Sequence, residues 1–160
     1  MKKIVIAALL GFAALISAAD VRIYKKNSTY TSDCIATFSN GKLYKGSSTY
    51  TSDCIVNFND TRIGKGTSTY TADTIVNFYQ NRLYKGSSTY TADCIATFSN
   101  NRIYKGSSTY TSDCVATISG NKLYKGTSTY SSDCLFTFSK KPSPMLAVWI
   151  VYSYYREAFL

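Results

Sequence analysis

The sequence predicts an all-β domain built from six tandem copies of one 20-residue unit. The first observation is a strict period of 20 residues without insertion or deletion, since a fixed period is the signature of a repeat architecture. The second is that each unit contains two short segments rich in β-branched and aromatic residues, separated by a turn signal. The units are residues 22–41, 42–61, 62–81, 82–101, 102–121 and 122–141.

The turn signal Asn40-Gly41 predicts a β-hairpin. A two-residue type I′ turn requires positive φ at both positions, which Asn and Gly tolerate. Such a turn pairs Phe38 with Leu43 and so places both side chains on one face. Asp60-Thr61 and Gln80-Asn81, at the equivalent positions of the next two units, fit this turn less well.

Alternation along the predicted strand Cys34 to Phe38 places Cys34, Ala36 and Phe38 on one face, which we expect to form the core. A second series, which begins at Tyr30, is expected to stack in the same way from unit to unit. The predicted core residues are Phe38, Phe58, Phe78, Phe98, Phe138, Cys34, Cys54, Cys94, Cys114 and Cys134. The tyrosine series is Tyr30, Tyr50, Tyr70, Tyr90, Tyr110 and Tyr130.

A single hairpin does not bury its apolar face, so the six copies are expected to pack on one another. The preferred architecture is a β-solenoid or stacked β-hairpin array over residues 20–141. The alternative is a closed β-barrel of six hairpins, which removes exposed strand edges.

The two ends of the chain depart from the repeat. Lys2 and Lys3 precede an apolar run that ends in small residues, which predicts a signal peptide over residues 1–19 and export to the periplasm, the cell surface or the medium. Residues 142–160 form a C-terminal segment in which Ser143-Pro144 is typical of a helix start. We expect this helix to cap the array or to dock a partner, because its apolar part is too short to span a membrane.

Catalytic and metal sites are not indicated. The chain has no histidine, which removes the commonest general base and metal ligand. One aspartate per unit gives a uniform series rather than the two unlike carboxylates that acid–base catalysis uses. The sequence therefore predicts a protein that is not an enzyme and has no cofactor and no metal.

The five cysteines follow the repeat, and Thr74 occupies the same position in the third unit. A disulfide is the usual state in an exported protein, but this position is more typical of a small packed thiol. The geometry distinguishes the two: cysteines one solenoid coil apart lie about 4.8 Å apart, whereas those one hairpin apart lie about 9.6 Å apart, beyond disulfide reach. The third unit also has Gly64 in place of the usual tyrosine.

The basic residues recur in two rows with tyrosines between them, which predicts a surface for an anionic ligand. Without residues 1–19 the net charge is +7, since Lys2 and Lys3 leave the +9 of the whole chain. A solvated strand face is the alternative interpretation, and export argues against a nucleic-acid partner. The predicted ligand-binding residues are Arg22, Lys45, Lys85, Lys105, Lys125, Tyr44, Tyr84 and Tyr104.

The segment Tyr104 to Asp113 resembles a repeat found in short exported bacterial proteins. This resemblance implies no particular activity. In period and export signal the chain is also similar to curli-type fibre subunits, although it lacks their Gln and Asn ladders. Two functions follow as expectations. The first is a non-enzymatic exported protein whose basic, tyrosine-rich surface binds an anionic glycan or another envelope component. The second is a structural protein that self-associates into fibres.

Overall fold

The computed structural model describes residues 20–160, in which twelve antiparallel strands form one closed barrel. The predicted signal peptide, residues 1–19, lies outside the described residues. The strands are β1 Val21–Lys25, β2 Cys34–Ser39, β3 Lys42–Lys45, β4 Cys54–Asn59, β5 Arg62–Lys65, β6 Thr74–Tyr79, β7 Arg82–Lys85, β8 Cys94–Ser99, β9 Arg102–Lys105, β10 Cys114–Ser119, β11 Lys122–Lys125 and β12 Cys134–Phe138. The all-β hairpin array is confirmed, and it closes as the barrel held as the alternative rather than winding as a solenoid.

Five tight turns join the hairpins with the predicted register. Phe38 pairs with Leu43 around the Asn40-Gly41 turn, where φ is +48° and +72°. Gln80-Asn81 also has positive φ at both positions, so the third unit forms this turn despite its less typical sequence. Asp60 has positive φ, and the residue after it is not among those with positive φ.

The barrel closes through a sixth hairpin-like pair, β1 with β12, which has no connecting turn because its strands lie at the two ends of the domain. β1 pairs with β12, and Ile23 faces Phe138 in the same register in which Leu43 faces Phe38. Two hydrogen bonds between Arg22 and Ser139 extend the pairing. The barrel therefore closes by repeating across the chain ends the contact that each hairpin makes internally.

The C-terminal helix α1, Pro144–Tyr154, fills the lumen of the barrel. The Ser143 hydroxyl accepts a hydrogen bond from the Leu146 amide and caps the helix, as the sequence predicted. The six consecutive residues 146–151 are all buried, and six residues cover more than one full turn. A helix buried on every side must lie inside the core rather than cover one end of it.

Two of the inward-facing layers of side chains line the lumen around α1, beside the phenylalanine layer that includes Phe38. One layer is fully buried and consists of large aliphatic residues, and the other is mostly Ala or Val. The first layer is Ile23, Leu43, Ile63, Leu83, Ile103 and Leu123; the second is Ala36, Val56, Val76, Ala96, Ala116 and Phe136. Apolar burial of this extent is the main source of stability in such a domain. No helix within residues 20–160 is long and apolar enough to cross a membrane.

A β-bulge in the second strand of each unit, such as β2, decides which residues face the lumen. Ile23 pairs with Ala36 but Tyr24 pairs with Cys34, so Ile35 is an extra residue in its strand. Ile35, Ala36 and Phe38 consequently face the core, whereas Cys34 lies on the outer wall. The predicted shared face of Cys34 and Phe38 is therefore wrong, because simple alternation does not hold across a bulge.

The lumen packing can be tested at Ile150, which is fully buried in the middle of α1. We expect Ile150→Val to lower the free energy of unfolding by about 1 kcal/mol and Ile150→Ala by about 2–4 kcal/mol, because the closed barrel cannot collapse onto the cavity. Equilibrium urea denaturation measures both. Two equal and small losses would show that α1 does not pack tightly inside the barrel.

A second test concerns Lys26, which has φ +51° where the later units have glycine, as at Gly46 with φ +55°. We expect Lys26→Gly to raise the free energy of unfolding by about 1 kcal/mol, because it removes left-handed strain at some cost in chain entropy. The reverse change Gly106→Lys should destabilise by a similar amount, since its new Cβ has only the ordinary neighbour Cys94 O at 3.9 Å. Urea denaturation of the two variants should show opposite shifts.

Candidate functional site

The two predicted rows of basic residues lie on different sides of the barrel wall. Lys42 faces Asn57 on the outer wall, whereas Lys45 faces Ala36 at the lumen side of one barrel mouth. Positions three apart in a strand point to opposite faces, so the rows do not form one surface. The outer row is Arg22, Lys42, Arg62, Arg82, Arg102 and Lys122; the mouth row is Lys25, Lys45, Lys65, Lys85, Lys105 and Lys125.

The tyrosines between these rows are buried, which corrects their predicted place on a ligand-binding surface. Tyr44, Tyr84 and Tyr104 are 7%, 3% and 5% exposed. The segment after each odd-numbered strand folds back over the outer wall, and there the Thr37 hydroxyl donates to the Gly46 carbonyl at 2.8 Å. These tyrosines are therefore packing residues beneath the folded-back loops.

The most exposed aromatic residues are the tyrosines of the series that begins at Tyr30, which the sequence predicts to stack. They lie in the folded-back loops, each with 75–78% of the side chain exposed. The six residues, here called the tyrosine belt, are Tyr30, Tyr50, Tyr70, Tyr90, Tyr110 and Tyr130. The available signal was local composition: these tyrosines are flanked only by Gly, Ser, Thr, Ala and Asp, apart from Lys26 and Asn27 in the first unit, and so have no apolar neighbours of a buried strand.

Each belt tyrosine is held by the same set of hydrogen bonds. The Ser48 hydroxyl accepts from the Tyr50 amide at 3.1 Å and donates to Asp53 Oδ2 at 2.6 Å. The Asp53 amide in turn donates to the Tyr50 carbonyl at 2.9 Å. Both backbone groups of the tyrosine are thereby fixed, and each unit repeats the arrangement. The aspartates thus serve a structural role, mediated by serine.

The outer basic row lies beside these loops. Arg62 Nη1 donates to the Thr71 hydroxyl at 2.7 Å, next to Tyr70. Where the barrel closes, Lys122 Nζ donates to the Asn27 side chain in the loop of the first unit. The outer wall therefore combines exposed aromatic rings, cations and hydroxyl groups around its circumference.

Lys25, Lys105 and Lys125 of the mouth row lie near the C-terminal end of α1. The partial negative charge of a helix C-terminus is favourable to nearby cations. Lys105 donates to the Leu160 carbonyl, and a 3-10 turn, Arg156–Phe159, follows the helix. An open cleft of about 750 Å³ remains there between Lys105, Lys125 and Tyr155.

The cysteines are free thiols on the outer wall. Cys134 is buried, while Cys34, Cys54, Cys94 and Cys114 are half-buried. Burial raises the pKa of Cys54, Cys94 and Cys114, so these thiols stay protonated at neutral pH. Within residues 20–160, no group of three or more His, Cys, Asp or Glu side chains is arranged to hold a metal ion.

The other predicted site residues have these positions. Arg22, Lys45, Lys85, Lys105 and Lys125 are exposed. Among the phenylalanines, Phe138 is fully buried, and Phe38, Phe58, Phe78 and Phe98 are partly buried and packed against the core.

Comparison with known proteins gives one family. The model of a family described as 6-fold beta flower protein matches residues 23–149, which include almost the whole barrel and half of α1. No curated protein and no solved structure matches the chain.

The hydrogen bonds by which a serine and an aspartate hold the backbone of each belt tyrosine, here called the clamp, can be tested at Ser88. We expect Ser88→Ala to lower the free energy of unfolding by about 1 kcal/mol, because it removes the acceptor of the Tyr90 amide and a donor to Asp93. The exposed neighbour Ser87 provides the control, since Ser87→Ala should leave stability unchanged. Urea denaturation and hydrogen exchange at the Tyr90 amide measure the effect. Equal behaviour of the two variants would contradict the clamp.

Proposed function

Because the chain belongs to the 6-fold beta flower protein family, we propose that it is a non-enzymatic repeat protein whose outer wall binds an acidic glycan. The family is not a known class of enzyme. The observation that carries the proposal is the tyrosine belt: six large aromatic side chains are at least 75% exposed, each in the same clamped loop. Exposed aromatic residues of this kind are characteristic of binding surfaces rather than of inert ones.

The chemistry of the belt favours a sugar chain. The face of a tyrosine ring packs against the apolar face of a sugar ring, and the neighbouring Thr and Ser hydroxyls can hydrogen-bond to sugar hydroxyls. Arg62 beside Tyr70 supports an acidic sugar, since guanidinium groups bind carboxylates in a bidentate manner. The net charge of +7 over residues 20–160 attracts a polyanion over longer distances.

Repetition gives such a surface its affinity. Neighbouring belt tyrosines are separated by two strands, which corresponds to about 9.6 Å along the barrel wall. A single exposed aromatic contact is weak, but a polymer that reaches several of them binds with an effective concentration set by this spacing. Because hydrogen bonds already order the backbone of each belt tyrosine, less conformational entropy is lost when a ligand binds.

The location of the ligand follows from the predicted signal peptide. We propose that the protein is exported and that its glycan belongs to the cell envelope or the extracellular space. The fibre-forming alternative receives less support, because it requires free strand edges and every described strand is paired on both sides in the closed barrel.

The experiment compares binding to polygalacturonate, an acidic glycan, with binding to neutral dextran by isothermal titration calorimetry. We expect binding to polygalacturonate that weakens with salt, and a loss of at least about tenfold in the triple variant Tyr50→Ala, Tyr90→Ala and Tyr130→Ala. The matched control replaces the exposed neighbours Thr49, Thr89 and Thr129 with alanine and should retain affinity.

Besides an absence of polygalacturonate binding, two outcomes would overturn this assignment. One is polygalacturonate binding that is the same in the tyrosine variant and the threonine control. The other is equally tight binding of single-stranded poly-dT, since cations and aromatic rings also bind unpaired bases and the specificity would then not be for a glycan.

A further inference from the structure

A small notch opens in the outer wall where the second and third units meet. Its lining includes four residues that depart from the common repeat: Asn57, Asn59, Gly64 and Thr74. The common residues at these positions are Thr, Ser, Tyr and Cys, as in Thr37, Ser39, Tyr44 and Cys34. The departures are spread over 18 residues of sequence but meet at one place in the fold.

The notch exists because Gly64 has no ring where other units bury a tyrosine. The loop and Asn57 lie close to this space: a Cβ at Gly64 would lie 3.0 Å from Ser68 O and 3.2 Å from Asn57 Nδ2. Asn57 Nδ2 donates to the carbonyls of Gly66 at 3.0 Å and Ser68 at 2.5 Å, which ties the loop to the barrel wall. What remains open is about 10 Å³, room for one group of the size of water.

The walls of the notch are polar and its rim is aromatic. Gly64 and Thr74 stand where the other units have a tyrosine ring and a thiol, and Asn59 stands where most of them have serine. The side chains of Asn59, Thr74 and the common basic residue Arg62 line the notch. Tyr70, with 78% of its side chain exposed, lies at the same notch. The notch holds one small group, is lined by hydrogen-bond donors and lies beside the ring of Tyr70. This arrangement fits a ligand with a flat ring and one polar substituent that protrudes from it.

We infer that this notch is a single specific site for one acidic sugar residue of the glycan, and the inference rests on the function proposed above. The sugar ring packs on Tyr70, and one oxygen of its carboxylate or a hydroxyl group enters the notch toward Arg62. The remaining belt tyrosines bind the rest of the glycan without distinguishing one sugar residue from another. The notch between the second and third units thus sets the register and the specificity of a surface that is otherwise sixfold.

The decisive variant restores the common repeat. Asn57→Thr with Gly64→Tyr reproduces the pair Thr37 and Tyr44 and fills the notch. The matched control is Asn77→Thr, which makes the same change opposite Tyr84, where the ring is present. The short probe is trigalacturonate, measured by calorimetry beside polygalacturonate.

We expect the unchanged protein to bind trigalacturonate with one site per chain. The double variant should lose at least about tenfold in this affinity, and Asn77→Thr should change it less than about twofold. The polymer should still bind to the double variant through the tyrosine belt. If the double variant does not fold, Tyr70→Ala and Tyr90→Ala give the same comparison, with a large loss expected only for Tyr70→Ala.

The outcomes separate the two proposals. Polymer binding without trigalacturonate binding, an unaffected double variant, or equal losses for Tyr70→Ala and Tyr90→Ala would overturn the notch and leave the belt intact. Absence of polygalacturonate binding in the unchanged protein would instead overturn the proposed glycan function itself.

Discussion

The width of the lumen is the constraint on which the rest of this structure depends. About eight strands make a barrel whose interior side chains just fill it, and twelve strands leave a central space. The protein fills that space with α1, so its residues 146–151 must be apolar on every side. The Ala and Val layer leaves room for the helix, and Phe136 takes the equivalent place in the last unit and contacts Tyr154 and Tyr155 at the helix end.

Because α1 fills the lumen, the side chains that can bind a ligand lie on the outer wall and at the barrel mouth that carries the mouth row. The eight-residue segments between hairpins cannot enter the core and instead fold back over the outside, where they bury Tyr44 and its equivalents. The same fold-back lifts Tyr50 and its equivalents into solvent. The Ser48–Asp53 pair fixes the loop, so the backbone that carries the exposed ring is held in place by hydrogen bonds.

Local patterns in the sequence predict the hairpins, the Asn40-Gly41 turn and the helix start at Ser143-Pro144, because neighbouring residues alone determine them. Closure is not local, since the β1–β12 contact requires the total twist of six units and the helix inside them. The face of Cys34 is missed because the bulge at Ile35 leaves no signal in composition. For the two tyrosine series the periodicity is identical, and only the path of the loop decides that Tyr44 is buried and Tyr50 exposed.

Departures from a repeat are informative when they have a common location. In the lumen, Phe136 differs from its equivalents where the one helix, which has no sixfold symmetry, ends against it. On the outer wall nothing in the structure explains Tyr79, which stands alone at a strand end. Asn57, Gly64 and Thr74 are different, because they meet in one notch although no other part of the described chain packs into it. The helix α1 accounts for the departure in the lumen, whereas the departures at the notch have no such asymmetric partner within the described chain.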